Sequence, residues 1–237
     1  MSSFIIVDSL YLYNVNEGID SYLTLKGQSL GSFKSKGSKF FSYATKVESE
    51  EEVKSFLQSI KAEHFKSRHV CYAYRLDHEG MVYRANDDGE PSGTAGLPIL
   101  NVLKSHQLVK AIIAVVRYFG GTKLGVPGLI EAYKLSAKDA IQQADIQEEY
   151  RYQFIKLEFP YEELGNLMNC IAKSSFKIIE QSYDEHPFIT LAARQSTATK
   201  DLLDIYSQLI GYSITDLELI KDHQVKQSYL NEFEGTL

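Results

Sequence analysis

Residues 109–133 read VKAIIAVVRYFGGTKLGVPGLIEAY. An apolar, β-branched run over 111–116 ends in a charge at Arg117, is broken by Gly120 and Gly121, and gives way to a helical pattern just past Pro127. A strand, a glycine loop and a helix N-terminus therefore follow one another. A helix start exposes backbone N–H groups with partial positive charge, and glycine lets an anion or another backbone come close to it. Lys123 and Arg117 add full charges there. The helix is expected to bury Leu129, Ile130, Tyr133, Ala137, Ala140, Ile141 and Ala144, with Pro127 in its first turn.

Upstream lies a second glycine-rich stretch, DDGEPSGTAG over 87–96. Thr94 or Ser92 is the expected cap of a helix reaching Ser105, with Leu97, Leu100 and Leu103 on its buried face. Strands are expected over 29–36 and 39–47, joined at Gly37, and over 69–76 and 81–85, joined across 77–80. Between these pairs an acidic first turn opens a helix over 48–66, with Val53, Phe56, Leu57 and Ile60 on one face. Past Ile146 the composition changes. Strands over 149–159, 176–183, 188–193 and 212–220 and helices over 161–174 and 197–210 give the order βαββαβ of a ferredoxin-like sandwich. The fold class is α+β in two domains: residues 1–20 as an extension, 21–145 and 146–222 as the domains, and 223–237 as a tail.

With 237 residues the chain is long enough for two domains, each with its own core. No apolar run approaches the roughly 20 residues of a membrane helix, and no signal peptide is evident, so the expected location is cytoplasmic with no membrane partner. Cys71 and Cys170 stand far apart and suggest neither a disulfide framework nor zinc. The net charge of −6 argues against indiscriminate nucleic-acid binding, but it is unevenly placed. Residues 1–145 hold 17 basic and 16 acidic side chains, and residues 146–237 hold 8 and 15. A basic patch in the first half would be hidden by the total.

GGTKLG over 120–125 has the glycine separation of a phosphate-binding P-loop, but Val126 and Pro127 stand where that motif needs Lys and Ser/Thr. An anion site built from backbone N–H groups and a tight strand-to-helix turn both remain open. Asp87, Asp88 and Glu90 can bind a hard cation, work as acid and base, or pair internally with Arg75, Arg84 or Arg117. Ser92 between Gly89 and Gly93 misses the nucleophile-elbow spacing. His69 and Cys71 share one face of a strand, as a Cys-His pair or as core residues. Tyr72, Tyr74, Tyr83, Tyr118 and Phe119 can stack on bases or fill a core.

KGSKFFSYA (36–44), RHVCYAYRL (68–76), DDGEPSGTAGLPIL (87–100) and RYFGGTKLG with GLIEAY (117–133) arrive in the order and spacing of the YigZ/IMPACT family, which the chain resembles over 31–144. Val70, Pro127 and Glu131 depart from the family's usual His, Gly and Arg, and the first and third weaken any scheme needing those polar side chains for catalysis or phosphate binding. The resemblance implies a first domain like a ribosomal small-subunit protein domain and domain IV of elongation factor G, and a ferredoxin-like second domain like domain V of that factor. Eukaryotic members act in translational control by binding a large ribosome-associated activator of a stress kinase. By resemblance the binding residues are Asp87, Asp88, Glu90, Ser92, Gly93, Thr94, Arg117, Tyr118, Gly120, Gly121 and Lys123. The leading expectation is a non-catalytic protein associated with translation, with RNA or a ribosome-associated protein as partner and no cofactor. The alternative is an enzyme acting on a small phosphorylated or carboxylated substrate, with Asp88 or Glu90 as base.

Overall fold

The computed structural model describes residues 20–211, 226–229 and 233–235. The expected strand over 212–220 and, Asp20 apart, the N-terminal extension lie outside the described residues. The chain divides into two compact units, one of residues 22–149 and one built mainly from residue 150 onward.

The first unit is a five-stranded sheet with helices on both faces. Its strands are β2 (Ser29–Ser35), β3 (Ser38–Lys46), β4 (His69–Arg75), β5 (Tyr83–Asn86) and β6 (Ala111–Tyr118), in the order β2-β3-β6-β4-β5 with each adjacent pair antiparallel. Helices α2 (Gly96–Ser105) and α3 (Gly125–Gln142) cover one face; α1 (Glu50–Glu63) covers the other. That arrangement explains why β6 reads as an unbroken apolar run, because a central strand with helices on both sides has no wet face. Ile113 and Val115 point to α2 and α3, and Ile112, Ala114 and Val116 point to α1. Each buried Ile or Val contributes about 1.5–3 kcal/mol. Arg117 continues the first series, so a charge lands under α3.

Local chemistry fixes the ends of these elements. Ser49 caps α1, its Oγ accepting from Glu52 N at 3.2 Å, ahead of three acidic residues that suit the helix dipole. The β2–β3 turn places Lys36 at φ 44° and Gly37 at φ 80°, the positive pair of a two-residue type I′ hairpin. Small residues let α3 approach the sheet: Ser42 Oγ donates to Ser136 O at 2.6 Å, and a Cβ on Gly31 would lie 2.3 Å from Ala140 N.

Several expectations are corrected. Ile130 is exposed, because it lies on the outer side of α3, and Leu97 is half exposed at the start of α2. The expected strand over 81–85 starts later, at Tyr83. A strand with no counterpart in the sequence reading, β1 (Ser21–Leu25), lies at the start of the first unit, where Val109 N donates to Leu23 O at 3.0 Å, and β7 (Ile146–Glu158) leads into the second.

In the second unit β7 pairs with β9 (Phe188–Arg194), which pairs with β8 (Lys177–Ser182), all antiparallel. A short 3₁₀ turn leads into α4 (Leu164–Ile171), and α5 (Gln195–Ile210) ends at Gly211 in the left-handed conformation, φ 84°. Alternate residues Ile155, Leu157, Ile189 and Leu191 form one core with Leu167, Leu202, Ile205 and Tyr206 of these helices. The fourth position, on the free side of β7, is taken by β10 (Lys226–Tyr229) and β11 (Phe233–Gly235). The order β8-β9-β7-β10 and the element sequence are those of a split βαββαβ sandwich. No described helix is long and apolar enough to cross a membrane.

Candidate functional site

The two glycine loops meet at the end of the first unit's sheet where β4 begins and β6 ends. His69 of β4 sits opposite Arg117 of β6, and Tyr118 sits opposite Lys39 at the start of β3. The acidic loop is held by its own carboxylates. Asp88 and Gly89 take positive φ, 40° and 87°, in a tight turn closed by Glu90 N donating to Asp87 O at 2.9 Å.

Asp87 is the cap of α2, reaching it from eight residues away. Its carboxylate accepts from Gly93 N, Ala95 N and Gly96 N, each at 2.9 Å. The expected caps do not serve: the N-cap position is Ala95, Ser92 is exposed, and Thr94 Oγ1 donates back to Pro91 O at 2.6 Å. Burial pushes the Asp87 carboxyl up, and the bonds from Gly93, Gly96 and Ala95 more than offset this, so its pKa lies below the usual carboxylate value. Asp88 accepts from Val70 N at 2.7 Å.

Glu90 points inward. Its Oε1 accepts from Arg117 Nη1 at 2.6 Å and from the Tyr133 hydroxyl at 2.8 Å, and both ionic side chains are at most 7% exposed. Of the basic partners open to it in the sequence, Arg117 is the one used. The Cys71 thiol lies 3.3 Å from the Tyr133 hydroxyl and 2.9 Å from Asp87 O. Burial, with Glu90, Asp88 and Asp87 adding to it against the Tyr133 bond, pushes that thiol far above its ordinary range. Burial first, then Cys71 and Glu90, does the same to Tyr133. A thiol held protonated is a poor nucleophile. His69 does not pair with it; its Nδ1 bonds to Asp88 O at 2.8 Å.

The second loop is joined to the β2–β3 turn. Gly120 N donates to Ser38 Oγ at 3.2 Å, and a Cβ on Gly120 would lie 1.9 Å from Gly37 C and 2.2 Å from Ser38 N. Those are backbone atoms that cannot swing aside. Gly120→Ala is therefore expected to cost about 1–3 kcal/mol, read as a lowered midpoint in urea, with the turn separated from the loop. Gly121, Thr122 and Lys123 are exposed, and α3, with Leu124 at its N-cap position, has no side-chain cap and no acidic residue in its first turn.

The eleven residues singled out in the sequence thus divide by environment. Ser92, Gly120, Gly121 and Lys123 are exposed, Asp87, Asp88 and Gly93 are half-buried, and Glu90, Thr94 and Arg117 are buried. Tyr118 turns to the α1 face, where its hydroxyl is 3.0 Å from His64 Nδ1. His64 also bonds Tyr43, whose hydroxyl is pushed up to about 12 by burial and by Glu63. Among the five aromatic candidates, Tyr72 and Tyr74 stack on each other, while Tyr83 and Phe119 are more than half exposed. Sequence reasoning missed Ser38, Gly37 and Tyr133 as parts of this end. Ser38 and Gly37 lie within the KGSKFFSYA run already noted, and that was the available signal.

The Impact N-terminal domain family model matches residues 36–141. The IMPACT family member YvyE of Bacillus subtilis is 36% identical over 168 residues, 71% of this chain and 77% of its own length. The IMPACT family member YigZ of Escherichia coli is 29% identical over 187 residues, covering 78% and 90%. Protein IMPACT homolog of Saccharomyces cerevisiae is 31% identical over 114 residues, covering 46% and 43%. A crystal structure of a hypothetical protein superposes with a TM-score of 0.60 at 24% identity over 90% of this chain and 98% of its own, a likeness of fold.

Proposed function

This chain belongs to the IMPACT family, and from that premise we propose that it is a non-catalytic binding protein connected with translation or its regulation. The partner is RNA, a ribonucleoprotein or a ribosome-associated protein, and the contact is made where the two glycine loops meet. One observation carries this reading. The groups that would do acid, base or nucleophilic chemistry are engaged internally, by a helix start, by Val70 N and by Arg117 with Tyr133, whereas exposed Lys123 has no ion-pair partner among the described residues. Two hollows of the second unit, around Asp201 and around His186, are lined by no residue of the glycine loops.

In this reading Ser92, Gly93, Gly120, Gly121 and Lys123 meet the partner, and Asp87, Asp88, Glu90, Thr94, Arg117 and Tyr118 hold the surface in shape. Titration with structured ribosomal RNA tests it. Affinity should fall as salt rises, because phosphate contacts release counterions, and Lys123→Ala should reduce the log–log slope by about 0.9 if it holds one phosphate. No binding at low salt would remove RNA from the list of partners.

A further inference from the structure

Beside the glycine loops the sheet carries a row of cations without ion-pair partners among the described residues. Lys34 of β2 stands directly opposite Lys39 of β3, and Lys39 stands opposite Tyr118 of β6. Directly paired residues share a sheet face, so these three line the rim on the α1 side. The β4–β6 ladder ends at His69 opposite Arg117, which puts Arg68 at the same rim. Lys36 sits in the β2–β3 turn, and the bond from Gly120 N to Ser38 Oγ joins that turn to the loop carrying Lys123.

None of Lys34, Lys36, Lys39, Arg68 and Lys123 has an ion-pair partner among the described residues. Like charges directly opposite each other on a ladder oppose folding, so Lys34 against Lys39 is a feature stability alone does not explain. The acidic residues nearby do not neutralise it, since Glu90 is buried against Arg117 and Asp87 and Asp88 accept backbone N–H bonds.

Two exposed rings lie at the same end of the sheet. Phe65, in the turn after α1, is 76% exposed with Lys66 Nζ 5.5 Å from its ring centre. Phe119, just past β6, is 56% exposed, with the Arg117 guanidinium carbon 5.6 Å from its ring. The His64 bond to Tyr118 brings the end of α1 to the end of β6. A line of free cations beside exposed rings that themselves sit against cations is the composition of a groove for single-stranded nucleic acid, phosphates on the cations and bases on the rings. An acidic protein segment would account for the cations but not for the rings.

We infer that this rim binds single-stranded RNA, with backbone phosphates along Lys34, Lys39, Arg68 and Lys123 and bases stacked on Phe119 and Phe65. The inference rests on the binding function proposed above and gives it a ligand form and a site.

The test is fluorescence anisotropy of the full chain with a labelled single-stranded oligouridylate across a salt series, with structured ribosomal RNA and polyglutamate measured in parallel. Binding should weaken with salt, and the double variant Lys34→Ala, Lys39→Ala should lower the log–log slope by about 1.4, two single-strand phosphates. Phe119→Leu, at an exposed position, should weaken binding at least about fivefold with the slope unchanged. Binding of structured RNA without the oligouridylate would overturn this inference and leave RNA as a partner in the proposed function; binding of neither would overturn this inference and remove RNA from the list of partners. Polyglutamate bound as tightly as the oligouridylate, or Phe119→Leu without effect, would overturn the single-strand inference in favour of an acidic protein partner.

Discussion

Glu90→Gln is expected to destabilise the first unit by about 3–5 kcal/mol, seen as a lower urea midpoint with an unchanged slope. The reason is the asymmetry of buried charge. The Glu90–Arg117 pair is almost fully removed from water, with Tyr133 donating to the same Oε1. Removing the carboxylate's charge leaves the Arg117 guanidinium, already short of a partner at Nε, uncompensated beneath α3. The same substitution separates the two functional readings. If Glu90 were a general base, the variant would fold normally and lose turnover; as an internal partner, it loses stability. Replacing both members by apolar residues of similar size should restore much of the loss, because a dry pair contributes little net stability.

Asp87→Ala should be the next most damaging change, about 3 kcal/mol. It leaves Ala95 N and Gly96 N, both in buried residues, and Gly93 N without their acceptor, at roughly 1–3 kcal/mol for each buried donor. Asp87→Asn should lose less, since the amide oxygen still accepts. The carboxyl also gives stability a pH dependence. Its folded pKa lies below the unfolded value, so its contribution is complete above the unfolded value, near pH 4, and is lost as pH falls through the folded one. Thermal midpoints should drop on acidification below about pH 4 in the parent and less steeply in Asp87→Asn.

These predictions mark how far the sequence could be read. Periodicity located the strands and helices between residues 29 and 211, because amphipathic elements over a two-sided sheet impose their period locally, whereas β10 and β11 fall in residues read as a tail. β1 escaped because five residues, SYLTL, with a mixed burial pattern carry too little period to stand out. Thr94 was the natural cap by residue type, yet the position belongs to Ala95 and the bond to Asp87, because the loop folds back on itself through two turns. Side-chain direction decided the rest. The acidic cluster could pair internally or face a ligand, and only the fold distinguishes Glu90 turned to Arg117 from Lys123 turned to solvent. The Lys34–Lys39 row was invisible for another reason: opposition across a ladder needs the strand register.

The central claim is that the rim joining the β2–β3 turn to the glycine loops is a binding surface for RNA or its protein assemblies, and that the acidic network behind it is structural. Mapping backbone amide shifts during titration with a ribosomal RNA fragment tests it most directly. The shifts should gather at residues 34–39, 65–68 and 119–123, and fade with added salt. Shifts confined to residues 150–211, or none at low salt, would contradict it.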